Sequence, residues 1–185
     1  MFNFYCAITT VMRKALLETF EAAARLVSVE LRPQLILVGG AASIEAVQVG
    51  ALHFTLDLDG AIAFHCSAGF IVHIDLIEIG AGSNVIEKIH AAEPLLGASV
   101  ASKPDLLYFR AVTVVDRWDD GDVLDFLWLL YRIAEDCEEL PALGDQELGI
   151  MVKAGARLGI MDHLLLAAIV GGKDETASFR ILQIE

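Results

Sequence analysis

Several features that would point to a compartment or a metal site are missing from this chain of 185 residues. It has only three cysteines, and none of them lies in a CxxC or another spacing typical of metal ligands. No uninterrupted apolar run approaches the roughly 18 residues of a membrane helix. The apolar N-terminal stretch precedes Arg13 and Lys14, whereas a secretory signal has its basic residues first. We therefore expect a cytoplasmic protein with reduced thiols and no membrane association.

Basic residues are also scarce. Thirteen lysines and arginines stand against 26 aspartates and glutamates, which gives a formal net charge of −13. A surface this acidic repels phosphate backbones, and no basic run offsets it, so we do not expect nucleic acid as a partner. The same acidity leaves room for divalent cations.

The first half of the chain alternates between helical and extended patterns. Helical spacing predicts a helix over residues 11–29, and the apolar run QLILVGG (34–40) predicts a short strand. HFTLDLDGAIAFH (53–65) and GFIVHIDLIEI (69–79) are two β-rich segments, most simply an antiparallel pair. One further strand is expected near GASVA (97–101).

Helices dominate the second half. KPDLLYFRAVTVVDRW begins a helix with Pro104 in its first turn, and DDGDVLDFLWLLYRIAEDC forms another, capped by Asp119 or Asp120. Two more helices are predicted at about 145–158 and 162–170, and the terminal SFRILQIE has a strand-like pattern.

This order predicts a mixed α/β fold of the α+β kind, in which a mixed sheet is flanked by helices and followed by an α-helical C-terminal part. We expect an α/β core over residues 1–103 and a helical part over 104–185. A single compact domain is the alternative.

Two aspartates interrupt an apolar strand in the segment ALHFTLDLDG. Because alternate side chains of a strand share a face, Thr55, Asp57 and Asp59 point the same way. An unpaired carboxylate is costly to bury, so a cation is a physical reason for this setting. Carboxylate oxygens with open coordination positions suit Mg²⁺ or Mn²⁺, which also take substrate phosphates as ligands. The alternative is an edge strand with solvated carboxylates.

Two further features can complete such a site. Asp75 lies among apolar residues of the next β-rich segment, and it faces the same site if the two strands pair; a salt-bridged strand acid is the alternative. Upstream, Gly39 and Gly40 end a strand and open a helix, a turn whose free N–H groups suit a triphosphate. Ser43 adds a hydroxyl donor, and Thr55, on the face of the two aspartates, is a further candidate nucleotide-binding residue. A plain turn is the alternative for the glycines.

The segments LVGGAASIEAV, HFTLDLDGAIAF and FIVHIDLI, taken in order, resemble the nucleotidyltransferase-fold superfamily. The resemblance implies that Asp57 and Asp59 hold the catalytic metals. It also implies that Asp75 helps to bind metal and to activate the attacking hydroxyl, and that Gly39 and Gly40 hold the phosphates of the nucleotide.

The segment PDLLYFRAVTVVDRWDDGDVLDFLWLL resembles the helical region of the minimal, AbiEii-like toxin branch of that superfamily, which includes stand-alone bacterial and fungal proteins. A basic residue, an arginine and two aspartates three apart recur there, and they match Arg110, Arg117, Asp122 and Asp125. The resemblance implies that both arginines bind the nucleotide. A helix-packing ion pair of Arg117 with Asp122 or Asp125 is the alternative.

The chain departs from the family pattern at three positions. His53 stands where relatives often have arginine, Arg110 where they have lysine, and Gly121 where a basic residue is common. Each departure changes the cations available to a polyphosphate.

The resemblance implies a Mg²⁺- or Mn²⁺-dependent enzyme that transfers a nucleoside monophosphate from a nucleoside triphosphate to a hydroxyl of a protein or small molecule. A second hypothesis is a catalytically degenerate member that binds nucleotide or a partner without transfer. A third is a structural homodimer that associates through the apolar segment GIMDHLLLAAIVGG.

Overall fold

The computed structural model of the protein describes residues 10–38, 62–69, 71–74, 88–117, 119–172 and 174–182. The chain divides into two compact units, residues 1–102 and 103–185. The sequence prediction places its boundary after residue 103. Helices and strands are both present, so the mixed α+β class that the sequence predicts is confirmed.

The first unit contains one long helix, a short 3₁₀ turn and five strands among its described residues. They are α1 (Thr10–Leu26), the 3₁₀ turn (Arg32–Gln34), β1 (Ile36–Leu37), β2 (Ile62–His65), β3 (Ile71–Ile74), β4 (Ala92–Leu95) and β5 (Ala98–Ala101). One sheet has the order β1–β5–β4, with β1 parallel and β4 antiparallel to β5. The other is the antiparallel pair β2–β3, as the sequence predicts.

The helix α1 contributes one apolar face to the core of the first unit. Phe20 and Ala24 lie one turn apart and pack with Ala98 of β5. Thr19 is buried beside them, and its hydroxyl donates a hydrogen bond to the Ala15 carbonyl at 2.7 Å. This bond satisfies a polar group that would otherwise be costly to bury.

The strand β4 was not predicted, because its sequence carries poor strand signals. Its residues are mostly exposed, it lies at the edge of its sheet, and it contains Pro94. Proline lacks a backbone N–H donor, which edge strands tolerate. Leu96 and Gly97 join β4 to β5 with φ angles of 49° and 83°, the left-handed pair of a type I′ hairpin turn. The turn is difficult to recognise in the sequence because Leu-Gly stands where such turns usually have Asn-Gly.

The second unit is helical in its described residues. Its helices are α2 (Lys103–Arg117), α3 (Asp120–Glu135), α4 (Asp145–Gly155), α5 (Ile160–Val170) and α6 (Glu175–Leu182). Their apolar faces meet in one core, whose fully buried members include Leu107, Val114, Phe126, Met151 and Leu166. None of the described helices is long and apolar enough to cross a membrane.

Two helix starts follow standard capping chemistry, and one of them corrects the sequence prediction. Asp119, one of the two predicted caps of α3, accepts a hydrogen bond from the Gly121 N–H at 2.8 Å. The strand-like prediction for SFRILQIE was wrong, because its described residues belong to α6. Asp174 accepts from the Thr176 N–H at 2.9 Å and provides the start signal that the strand pattern obscured. Ile181 is buried on the inner face of this helix.

The turn between α5 and α6 leaves no room for a side chain at Gly171. A methyl group there would lie 2.4 Å from the Cβ of Ser178 and 2.9 Å from the Ala167 carbonyl oxygen. We expect Gly171→Ala to lower the unfolding free energy by about 1–3 kcal/mol, the usual cost of overpacking. Urea unfolding followed by circular dichroism measures the change.

Gly172→Ala is the matched control, since a Cβ there meets nothing closer than 3.4 Å. We expect its unfolding free energy to stay within about 0.5 kcal/mol of the parent value. Equal losses in the two variants would contradict this account of the turn.

Candidate functional site

Most of the predicted site lies outside the described residues. This applies to seven positions: Gly39, Gly40, Ser43, Thr55, Asp57, Asp59 and Asp75. The two predicted site residues that the structure describes are Arg110 and Arg117, both on α2. Among the described residues, no group of three or more histidine, cysteine or acidic side chains is arranged to hold a metal ion.

The hairpin β2–β3 determines how the predicted acidic segments are attached to the fold. Its register pairs Ile62 with Ile74 and His65 with Ile71, so the chain enters β2 beside the point where it leaves β3. In the sequence, Asp59 precedes Ile62 by three residues and Asp75 follows Ile74 directly. Both segments are therefore joined to the same end of one hairpin.

The other end of this hairpin is tied to α1. The Gly69 N–H donates to the Cys66 carbonyl at 3.1 Å, and the Gly69 φ of +84° suits a glycine. The carboxylate of Glu18 accepts hydrogen bonds from the Ser67 backbone N–H at 3.0 Å and from the Ser67 hydroxyl at 2.9 Å. These two bonds lower the pKa of Glu18 below its ordinary value.

In the second unit, Arg110 of α2 lies against two carboxylates of α3. Its Nη2 is 3.2 Å from Asp125 Oδ2, and its Nη1 is 3.9 Å from Asp122 Oδ1. The three side chains expose only 14%, 12% and 16% of their surface in the order Arg110, Asp122 and Asp125. Asp122 and Asp125 are three residues apart on a helix, so they share a face and can meet one guanidinium.

The two carboxylates limit the ability of Arg110 to bind a phosphate. One guanidinium faces two carboxylates, so the cluster carries a net charge of −1 when all three groups are ionised. A phosphate would have to compete with both carboxylates for the same donors. The geometry therefore supports a role for Arg110 in positioning α2 and α3.

Arg117 lies in a different setting. It follows Arg110 by seven residues, which corresponds to about 10 Å along a helix. Its side chain is exposed in the last turn of α2. The sequence analysis gave an ion pair of Arg117 with Asp122 or Asp125 as an alternative. In the structure Arg110 makes this contact, because the middle of α2 lies beside the first turns of α3.

A second cation cluster was not predicted from the sequence. Lys103 Nζ lies 2.6 Å from Asp136 Oδ2 and also forms an ion pair with Glu138. Burial lowers the pKa of Lys103, but the hydrogen bonds to the two carboxylates outweigh it and raise the pKa above the ordinary value. The same contact lowers the pKa of Asp136. The acidic run EDCEE (135–139) indicates that a cation could bind there. It does not identify that cation as Lys103, which lies more than 30 residues earlier in the chain.

The lowered pKa of Asp136 predicts a pH-dependent contribution to stability. The folded pKa lies below the ordinary value of 3.8, so the contribution is present above that pH and is lost as the pH falls through the folded pKa. We therefore expect the difference in unfolding free energy between the parent and Asp136→Asn to be constant above about pH 5 and to shrink below about pH 4. Urea unfolding between pH 3 and 7, in steps of about half a unit, measures it.

Asp116→Asn removes an exposed carboxylate from α2 and serves as the matched control. We expect it to follow the parent pH dependence closely. If the parent and Asp136→Asn still differed as much at the acid end as at neutral pH, the ion pair would not be the source of the difference.

The Arg110 cluster predicts a large effect that a compensating change reverses. We expect Arg110→Met to lower the unfolding free energy by about 2–4 kcal/mol, because it leaves two largely buried carboxylates without their cation. Adding Asp122→Asn and Asp125→Asn should restore most of that loss. Thermal and urea unfolding of the single and triple variants provide the measurement.

Asp116→Asn is the control on the same helix, and we expect a change within about 0.5 kcal/mol because the side chain is exposed. A triple variant no more stable than Arg110→Met would argue against charge compensation.

Comparison with known proteins identifies no relative of the chain. No protein-family model matches it, and neither a curated protein nor a solved structure does. Its function must therefore be inferred from the chemistry of its own residues and from the geometry of the described elements.

Proposed function

We propose that the protein is a metal-dependent nucleotidyltransferase, which transfers a nucleoside monophosphate from a nucleoside triphosphate to a hydroxyl of a protein or small molecule. The observation that carries the proposal is the register of β2 and β3. It joins the segment with Asp57 and Asp59 and the segment with Asp75 to one end of a hairpin. Because both segments join the hairpin at the same end, this register supports a site in which the three carboxylates converge.

The three carboxylates have the chemistry that Mg²⁺ or Mn²⁺ requires. In the proposal, Asp57, Asp59 and Asp75 hold the ion through hard oxygen donors. When bound, the ion neutralises negative charge that develops on the transferring phosphoryl group.

The protein groups then perform the remaining tasks of the transfer. Asp75 accepts the proton of the acceptor hydroxyl, whose oxygen forms the new bond to the α-phosphorus as the bond to the pyrophosphate oxygen breaks. The Gly39 and Gly40 N–H groups and the Ser43 hydroxyl donate to the phosphates. Thr55 shares the face of the acidic pair in the predicted strand. Nucleotide binding by Arg110 and Arg117 stays a prediction from the resemblance.

The acceptor class follows from the charge of the chain. A net charge of −13 repels a polynucleotide, whereas a protein side chain or a small polyol carries no comparable charge. We also propose a cytoplasmic location, where nucleoside triphosphates are abundant. The free thiols of Cys66 and Cys137 are compatible with reducing conditions.

A second candidate is a degenerate member of the fold that binds nucleotide without transferring it. The observation that favours it is the engagement of Arg110 by Asp122 and Asp125. Together with His53 and Gly121 at positions where relatives often carry cations, this leaves fewer groups to stabilise the charge of a leaving pyrophosphate.

Transfer can be tested without knowing the acceptor. The protein is incubated with each α-labelled nucleoside triphosphate and Mg²⁺, and pyrophosphate release, protein labelling and intact mass are measured. We expect Mg²⁺-dependent release that falls about 10²-fold or more in Asp57→Asn, because the metal loses a ligand. Asp116→Asn is the matched control and should retain the parent rate.

Unchanged release in Asp57→Asn would rule out the proposed mechanism. Saturable heat of nucleotide binding in calorimetry, without pyrophosphate release from any of the four nucleotides, would favour the degenerate member over the transferase.

A further inference from the structure

The helix α5 presents an entirely apolar face to solvent. Its inner side is formed by Leu166, Ala167 and Val170, which are buried. The opposite side is exposed, most strongly at Ile160 (81%) and Met161 (76%). Five residues form this side, here called the α5 surface: Ile160, Met161, Leu164 and Ala168, which are exposed, and Leu165, which is half-buried. A solvated helix face normally carries polar residues, so this one has the composition of a contact surface.

A groove of about 310 Å³ continues the α5 surface toward the end of α3. Leu165 and Ala168 belong both to the α5 surface and to the groove lining. Ile133 and Leu140 add apolar lining, and both are buried. The exposed strip and the groove therefore adjoin within the second unit, where they share Leu165 and Ala168.

The charged side chains that line the groove are both acidic, Glu138 and Glu139. Lys103 pairs with Glu138 and with Asp136, which lies two residues before Glu138 in the chain. The whole second unit is negatively charged, with 16 acidic and 8 basic residues and hence a net charge of −8. A basic occupant is attracted to this surface, and an acidic one is repelled.

The size of the surface distinguishes between classes of occupant. An 11-residue helix is about 16 Å long, and a helix with its side chains is about 10 Å wide. A strip of that size is much smaller than the roughly 800 Å² per partner of a stable interface between globular chains. It does match one helix laid along an apolar groove. A second copy of this chain would also bring another −8 to the contact.

We propose that the α5 surface and its groove bind an amphipathic helix of a partner protein. The apolar side of that helix packs on Ile160 and Leu164, and its lysine or arginine residues lie beside Glu138 and Glu139. This surface is independent of the proposed transfer reaction.

The probe is a synthetic 18-residue peptide with leucine at helical spacing and lysine at the other positions. Two matched peptides replace every lysine by glutamate or every leucine by alanine. Binding to the full chain is measured by fluorescence anisotropy at about 0.15 M salt, where long-range charge effects are screened. We expect saturable binding of the leucine–lysine peptide and at least tenfold weaker binding of both matched peptides.

Three variants of the chain locate the binding surface. Ile160→Ser with Leu164→Ser should weaken binding of the leucine–lysine peptide at least tenfold. Phe179→Ser is the matched control, since Phe179 is similarly exposed on α6 and does not line the groove. It should stay within twofold of the parent. Glu139→Lys should weaken binding of the leucine–lysine peptide. It should also reduce the ratio of the affinities for the leucine–lysine and leucine–glutamate peptides. Circular dichroism verifies that each variant is folded.

Cys137 provides a second readout, because it is exposed and lines the groove. We expect bound peptide to slow the alkylation of Cys137 by maleimide. Peptide mapping after alkylation measures the modification of each cysteine separately. Absence of saturable binding, equal affinity for the lysine and glutamate peptides, or unchanged affinity in the Ile160→Ser, Leu164→Ser variant would overturn the proposal. A parent dimer in sedimentation that this variant abolishes would instead identify a second copy as the occupant.

Discussion

The contact of Arg110 with Asp122 and Asp125 is the constraint on which the described part of the second unit depends. It places three charged groups at low exposure between α2 and α3, where each carboxylate would be destabilising without the guanidinium. The flanking apolar residues, such as Val114 and Phe126, then complete a core that excludes water. Charge compensation thus determines where the first two helices of this unit meet, and apolar burial supplies most of the driving force.

Basic residues are scarce in the second unit, and some of them are already held in ion pairs. Lys103, like Arg110, lies against two carboxylates, so two of the eight basic residues of the second unit are held in structural clusters. An enzyme that handles a triphosphate needs positive charge, and a metal ion bound by carboxylates supplies it without further lysines or arginines. The excess of acid is consistent with that solution. The charged side chains that line the groove beside α5 are acidic as well, Glu138 and Glu139.

How far the fold was predictable depended on whether its signals were local. Asp119 and the apolar spacing of α3 identified that helix, and the two β-rich segments identified the β2–β3 hairpin, because capping and alternation act over a few residues. The strand β4 was missed since Pro94 and a Leu-Gly turn disguise an edge strand. The last helix, α6, was mistaken for a strand because its alternating apolar residues outweighed the cap at Asp174. In the candidate site, the motif contained Arg110, Asp122 and Asp125, but their ion pair was considered for Arg117, and the partners of Lys103 were not predicted.

The sequence by itself determined the α+β class, the charge sign and the residue types from which a metal site can be built. These properties follow from composition and from short-range periodicity. Only the tertiary structure decided that Arg110 meets Asp122 and Asp125, that Lys103 meets Asp136, and that one face of α5 stays exposed. Each of these depends on which helices pack together, and long-range contacts leave no periodic trace in the chain.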